Sequence, residues 1–404
     1  MMNGELARRI AFTIGALLLF RIGCQIPVAG VTTSSFLPTP DLIARLSIFA
    51  LGPIPYLTAA ILIRLLSVVW RRLNSLERSG ERGRRKVARA TLGLTLVLAA
   101  FQAFGIANAL TTVPGFVSNP DGWFVLAATA TMAGGVFVVV WLSEQITRYG
   151  IGNGLALILC VGMLVSLPRD VAGIVGLVRS GTVSGSLVFA HAVFWVVTVA
   201  VIVLVEGARR NIRVEFGALD FGTRQLPARD AVLPIKLNSA GFLIPVTVAP
   251  WIFFLPLAFA GFVLGGGHPL VAAAYRHLQL GQPAHLILVS IAVFVLAFVY
   301  TAYVVDPEDT AKSLAQRDGT IPGVARGEAT ADYLDRAVSL TTVVGAVYLT
   351  ALQLIPEVFE LYGIGLPYSM IINGGAALVV VCTALDIKTQ VRDVSLTNPG
   401  GVRR

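Results

Sequence analysis

The chain has 404 residues, 56% of them hydrophobic and only 13% charged, with a mean hydropathy of +0.79 and a formal net charge of +9. A charged fraction about half the ~25% usual for soluble domains excludes a water-soluble globular fold. Cys24, Cys160 and Cys382 each lie in an apolar segment at unrelated spacings, which excludes a disulfide framework or a thiolate metal site.

Apolar windows long enough to cross a ~30 Å hydrocarbon core recur near 10–28, 54–70, 90–110, 123–142, 151–168, 187–205, 239–262, 285–305, 337–355 and 370–386. They predict an all-α polytopic membrane protein of about ten spans. No small-residue cleavage site follows the first window, and Pro27 and Gly30 come directly after it, so it reads as a retained helix. The second, Ser47–Leu66 (SIFALGPIPYLTAAILIRLL), carries Gly52, Pro53 and Pro55 near its start. Proline removes a backbone donor and clashes with the preceding turn, so a continuous helix cannot run through this point. In hydrocarbon such a break survives only where protein or a water-filled cavity satisfies the freed groups, which points to a pore or a moving part.

Three connections are longer than helix pairing requires: Arg71–Arg89, dense in arginine, about Glu206–Lys236, and Asp306 to about Arg336. The intervening loops, such as Val113–Gly122 and Pro168–Ser186, are shorter and rich in Gly, Ser and Pro. One alternating set of loops holds Arg8, Arg9, the 71–89 cluster, Arg148, the 209–236 and 312–336 sets and the tail from Lys388. The other set holds little beyond Arg45, Arg169, Arg179 and Arg276. The positive-inside rule then places both termini in the cytoplasm and requires an even number of spans. Topology alone accounts for most of the basic excess, so it does not imply nucleic acid. The chain divides near Gly181–Ser186 into residues 1–183 and 184–404, with five spans each and opposite orientation, as an inverted repeat requires.

The segment Trp141–Pro168 (WLSEQITRYGIGNGLALILCVGMLVSLP) resembles a signature of the SecY family of protein-translocation channels. Gly150, Gly152 and Gly154 allow two helices to meet at a tight corner, and Asn153 can cap the incoming one. Ser47–Leu66 resembles the family's second helix, Arg82–Ala107 its basic loop and third helix, and Leu233–Gly241 (LPIKLNSAG) the start of its seventh. Asp306–Ala311 (DPEDTA) and Ile321–Thr330 (IPGVARGEAT) resemble motifs of its last large loop. The resemblance runs in order along nearly the whole chain.

It implies two five-helix inverted halves around a central hourglass pore, closed by a ring of apolar side chains and an external plug, with a lateral gate between the halves. An apolar ring gates by dewetting and can deform around a passing chain. Carried over residue by residue, the ring positions are Pro53, Leu57, Leu155, Leu159, Val246 or Thr247, and Val379 or Val380. The polar gate positions are Thr58, Gln102 and Asn238, where side chains inside spans usually mark a pathway. The plug region is about 31–47, with Asp41, Leu42, Ile43, Ala44 and Arg45. The loops at about 206–237 and 306–336 correspond to docking surfaces for the SecA motor, the ribosome or both, through Arg209, Arg210, Arg213, Arg224, Arg229 and Arg326. Glu215, Asp220 and Asp230 dilute the charge of the first of these loops. In the second, the family's arginine position is occupied by Ala325 and the arginine is displaced to Arg326. Further implied partners are SecE-like and SecG-like small membrane subunits, signal peptides, nascent chains and membrane lipids, in the bacterial inner membrane, with no cofactor.

The function implied is a channel without catalysis of its own, moving unfolded signal-bearing polypeptides across the membrane and releasing hydrophobic segments into lipid. A fold-retaining insertase or accessory paralogue is the alternative. An ion-coupled transporter needs carboxylates or histidines near the midplane, and Glu144, His191, His285 and Asp386 all read as lying near helix ends. The segment between Gly30 and Ser47 is much shorter than the family's plug, leaving about two helical turns from Pro38. The reconstituted chain should therefore show a higher resting single-channel conductance than a relative with a full-length plug. A resting pore as tight as that relative's would refute the reading.

Overall fold

The computed structural model describes residues 4–31, 46–112, 115–216, 219–220, 225–226, 229–241, 256–264, 268–279, 282–361 and 374–397. Residues 1–176 together with 379–404 make one compact unit, and residues 177–378 make another. Among the described residues, seven helices are long and apolar enough to cross a membrane, and a shorter apolar helix begins at Ile54. The predicted seventh span, 239–262, falls largely outside the described residues, although 256–264 is helical.

The first unit opens with α1 (Gly4–Gly23), followed by α2 (Ile54–Val69), α3 (Arg71–Arg78), α4 (Glu81–Thr111) and α5 (Gly122–Tyr149). Its core follows from residue spacing. Ala99, Ala103 and Ala107 recur every fourth residue on α4 and lie in one buried cluster with Ala128, Met132, Ala133 and Val136 of α5. Small side chains in register let two backbones approach closely, the main route to helix association where lipid offers no hydrophobic driving force. A second cluster joins Ala16 and Phe20 of α1 to Val139, Leu142 and Ile146 of α5 and to Leu157 and Ile158.

The interruption expected at Gly52–Pro55 is present: residues 46–53 form turns, and α2 starts only at Ile54, after Pro53. Protein satisfies the freed backbone. Val28 N–H donates to the Leu46 carbonyl at 2.9 Å and Ile48 N–H to that of Ile26 at 3.0 Å, while Gly52 N–H turns back to Phe49 at 2.9 Å. Gly52 has φ +54, the left-handed conformation that a residue without Cβ adopts at no steric cost.

A second tight passage joins α5 to α6 (Gly154–Arg179). Its amides are met one by one by side chains. Thr13 Oγ1 of α1 accepts from Ile151 N–H at 2.9 Å, and Gln390 Oε1 accepts from Gly152 N–H at 2.8 Å. Thr147 Oγ1 accepts from Gly154 N–H at 2.9 Å. Asn153 Oδ1 takes Leu155 N–H and Ala156 N–H at 3.1 and 3.3 Å, the capping role its position predicts. A Cβ at Gly154 would collide with the Ser143 carbonyl, so the two helices close on each other only because this residue lacks one.

Pro168 does not end the fifth span, as its reading as the start of an external loop implied: α6 continues through it to Arg179. Proline costs one hydrogen bond to the carbonyl four residues earlier, and the apolar stretch beyond it still favours the helix in a membrane.

The second unit holds α7 (Gly185–Gly207), α8 (Pro269–His277), α9 (Pro283–Val304), α10 (Pro307–Gln316) and α11 (Glu328–Leu361). The last helix, α12 (Gly374–Thr397), closes the chain's described part. To the expected helices the structure adds a small sheet built from both long loops. Strands β1 (Arg209–Phe216) and β4 (Arg229–Lys236) pair antiparallel from Arg209 with Lys236 to Phe216 with Arg229, and β5 (Gly319–Thr320) pairs with Glu215 and Phe216. Between β1 and β4 a shorter ladder joins β2 (Leu219–Asp220) to β3 (Gln225–Leu226). Ile212 and Val214 point inward and pack with Ile235, Ala311, Leu314, Ile321 and Leu334, fusing the two loops into one body. Asp306 caps α10, accepting from Glu308 N–H and Asp309 N–H at 3.1 Å each, with Pro307 at the first helical position.

Gly154→Val should lower stability by about 2 kcal/mol or more through overpacking at the corner, whereas Gly162→Ala, with open space around it, should be near neutral. Thermal unfolding of the detergent-solubilised protein reads the difference.

Candidate functional site

The ring positions divide by burial. Pro53 and Leu57 are buried at the start of α2, directly after the break, and Val379 is buried on α12. Leu155 and Leu159, one turn apart on α6, are half-exposed, as is Val380. Val246 and Thr247 lie outside the described residues, as do Asp41, Leu42, Ile43, Ala44 and Arg45 of the plug segment and the docking residue Arg224.

Each polar gate position has a defined bonding state. Thr58, 1% exposed, donates its hydroxyl to the Ile54 carbonyl at 3.0 Å, inside its own helix. Gln102 on α4 is half-buried, and its Nε2 is enclosed with no acceptor among the described residues. Asn238 is 3% exposed; its Nδ2 donates to Glu206 Oε1 at 2.9 Å, and its Oδ1 has no donor among the described residues. An enclosed amide group without a partner costs on the order of 1–3 kcal/mol. One of these orphans is an N–H donor and the other a carbonyl acceptor.

On the sheet, strand alternation sends Arg209, Arg213 and Glu215 to the outer face of β1, opposite Lys236, Val232 and Asp230 of β4. Arg213 is committed locally, with Nη2 2.7 Å from Asp230 Oδ2 and Nε 3.7 Å from Glu215 Oε1. Arg326 Nη1 similarly lies 3.1 Å from Asp318 Oδ1. Exposed pairs of this kind are worth about 1 kcal/mol at most and yield readily to a stronger partner. Arg209, Arg210 and Lys236 are exposed and have no ion pair among the described residues, so uncompensated positive charge gathers at the end of the hairpin nearest α7. Arg229 opposes Phe216 in register at the far end.

One buried constellation escaped sequence reasoning. His285 Nδ1 at the start of α9 and Glu357 Oε2 near the end of α11 share a hydrogen bond of 2.8 Å, with side chains 2% and 0% exposed. Gln353 lies one turn earlier on α11 and is also buried. The apolar window ends at Leu354–Ile355 because Pro356 and Glu357 look like the start of a loop, yet α11 continues through them to Leu361. His191 of α7 packs beside the same helix end, 5.8 Å from the Phe359 ring. A carboxylate and an imidazole held this way staple α9 to α11.

The SecY family model matches residues 47–388. The chain is 35% identical to the protein translocase subunit SecY of Escherichia coli K12 over 415 aligned positions, covering 98% of this chain and 93% of that one. It is 32% identical to the protein translocase subunit SecY of Rickettsia typhi, covering 96% and 94%. In fold it resembles a solved protein-conducting channel (TM-score 0.69, 18% identity, 100% of this chain and 96% of that one) and Sec61 in the canine ribosome–channel complex (TM-score 0.64, 18% identity, the same coverage). A further solved relative, at TM-score 0.68 and 18% identity, is a SecY whose plug domain stabilises the closed channel and maintains a membrane seal.

Removing one partner of the His285–Glu357 pair leaves a buried polar group uncompensated, so Glu357→Leu or His285→Leu alone should cost about 3–5 kcal/mol. The double replacement should recover most of the loss. A double-mutant cycle on thermal unfolding measures the coupling, and additive losses would show that the pair contributes nothing of its own.

Proposed function

This chain belongs to the SecY family, and we propose that it is the pore-forming subunit of a protein-conducting channel of the bacterial inner membrane. It moves unfolded, signal-bearing polypeptides across the membrane and releases hydrophobic segments sideways into lipid. The observation that carries this reading is the match to translocase subunits along the chain, from the break at Ser47 through the last helix. Both termini face the cytoplasm, and residues 1–183 and 184–404 act as the two halves of the channel.

A ring residue must present its side chain to an opening and not to a core. The half-exposed Leu155, Leu159 and Val380 meet that requirement, so Val380 is preferred over the buried Val379. The family resemblance adds Pro53 and Leu57, both buried here directly after the break, and Val246 or Thr247 of the seventh span. Thr58, Gln102 and Asn238 are the polar gate residues, and the enclosed amide atoms Gln102 Nε2 and Asn238 Oδ1, which have no partner among the described residues, support that assignment. The truncated plug from Asp41 to Arg45 seals weakly.

The sheet and the loop around Arg326 are the cytoplasmic docking surface, with Arg209, Arg210, Arg213, Arg224 and Arg229 as its cationic contacts. A ribosome or a SecA-type motor binds there, and SecE-like and SecG-like subunits complete the complex. The chain supplies a path; its docked partner supplies the driving force.

Reconstituted with small subunits and a motor in proteoliposomes, the chain should protect a signal-bearing precursor from added protease. Alanine at Leu155, Leu159 and Val380 together should raise resting ion conductance severalfold, because a wider apolar constriction dewets less completely. If hydrophobic segments insert but no precursor crosses, the channel reading fails and the chain is an insertase.

A further inference from the structure

The hairpin formed by β1 and β4 has an unusual base. Strand β1 leaves α7 after only one residue, Ala208, and β4 returns to residue 237 alongside it, where Leu237 N–H donates to the Ala208 carbonyl at 3.1 Å. One residue further, Asn238 Nδ2 donates to Glu206 Oε1 at 2.9 Å, in the last turn of α7. The first is a backbone bond and the second joins side chains, and together they tie the same two chain segments just beyond the eight-residue ladder, where the chain enters the seventh span. On the other side, α11 presses close: a Cβ at Gly345 would stand 3.2 Å from the Leu237 carbonyl and 3.3 Å from Asn238 Oδ1. Asn238 is thereby fixed from two directions, by a hydrogen bond to Glu206 and by packing against Gly345.

We propose that Glu206 is a positioning residue of the gate: its carboxylate holds Asn238, and with it the first residues of the seventh span, in register with the base of the cytoplasmic sheet. The inference rests on the reading of Asn238 as a gate residue and of the sheet as a docking surface. An antiparallel ladder of eight residues is roughly 25 Å long, and the apolar core shared with α10 and α11 stiffens it. A load applied to the sheet reaches Asn238 along the β4 backbone, and the Leu237–Ala208 and Asn238–Glu206 bonds tie that stretch to the end of α7. The uncompensated Arg209, Arg210 and Lys236 flank this junction, so an anionic docking partner binds within two or three residues of it. Glu206 thus sets how far a docking event, or an entering signal sequence, must displace Asn238 before the seventh span moves.

Two variants separate the hydrogen bond from the charge. Glu206→Gln keeps an acceptor for Asn238 Nδ2, and Glu206→Ala removes it. With the complex reconstituted in proteoliposomes, Glu206→Ala should speed amide hydrogen exchange at Leu237 and Asn238 about three- to thirtyfold, the range set by one interhelical side-chain bond in a membrane. The same variant should raise transport of a precursor with a weakened signal relative to one with an intact signal, and Glu206→Gln should match the parent in both readouts. Unchanged exchange in Glu206→Ala overturns the clamp. Faster exchange with an unchanged signal requirement overturns the positioning role and leaves a structural bond. Equal behaviour of the alanine and glutamine variants overturns the hydrogen bond as the cause. If the parent chain transports neither precursor, the channel reading itself has failed, and the exchange arm still decides the clamp.

Discussion

Every unpaired peptide group inside a bilayer costs several kcal/mol, and the architecture is organised around that constraint. Most of the chain meets it by being helical. The informative places are where it is not. At residues 46–53 the partners are backbone groups, several of them in the 26–28 segment; for the amides of 151, 152, 154, 155 and 156 they are side chains of Thr13, Gln390, Thr147 and Asn153. Both interruptions deliver proposed pore residues. The first ends where α2 begins, with Leu57 and Thr58 in its first two turns, and the second where α6 begins, with Leu155 in its first turn. Helix ends at such interruptions must be held without a continuous helix behind them, and these backbone and side-chain contacts hold them.

Outside the membrane the constraint relaxes and a different solution appears. The two long loops share one apolar core, with Ile212, Val214 and Ile235 from one packed on Leu314, Ile321 and Leu334 from the other. Their arginines then sit on a stiff surface, and the distribution of acidic neighbours decides which remain available. Arg213 and Arg326 are lightly neutralised, whereas Arg209 and Arg210 have no ion pair among the described residues. Charge dilution, visible in composition as Glu215 and Asp230, thus falls on the outer half of the hairpin and spares the membrane-proximal end.

Much of this was legible in the residues alone. Apolar windows located the helices, Pro53 located the break, and Asn153 announced its capping role, because each depends on neighbours within a few positions. The sheet was not legible for the opposite reason. Alternation in RRNIRVEF is short, its partner β4 lies beyond an intervening segment, and β5 contributes two residues from a hundred positions later. Pro168 misled because proline ends helices more often in water than in lipid. Glu357 was lost because Pro-Glu closes an apolar window, although tertiary pairing with His285 carries the helix onward. The Glu206–Asn238 contact has no local signature, since 32 residues separate its members.

The Gly152–Gln390 hydrogen bond carries one more consequence, for biogenesis. Its partners are 238 residues apart, and the first compact unit includes the chain from Val379 onward. At ~5–20 residues per second of synthesis, the α5–α6 corner waits roughly 12–48 s between its own emergence and the arrival of Gln390. During that interval the nascent first unit is a bundle with a missing wall, and the Gly152 amide lacks the acceptor that Gln390 supplies in the folded chain. Quality control that recognises an unfinished helix corner would therefore find its target early, and truncations near the carboxyl end would be sensed at the amino-terminal half.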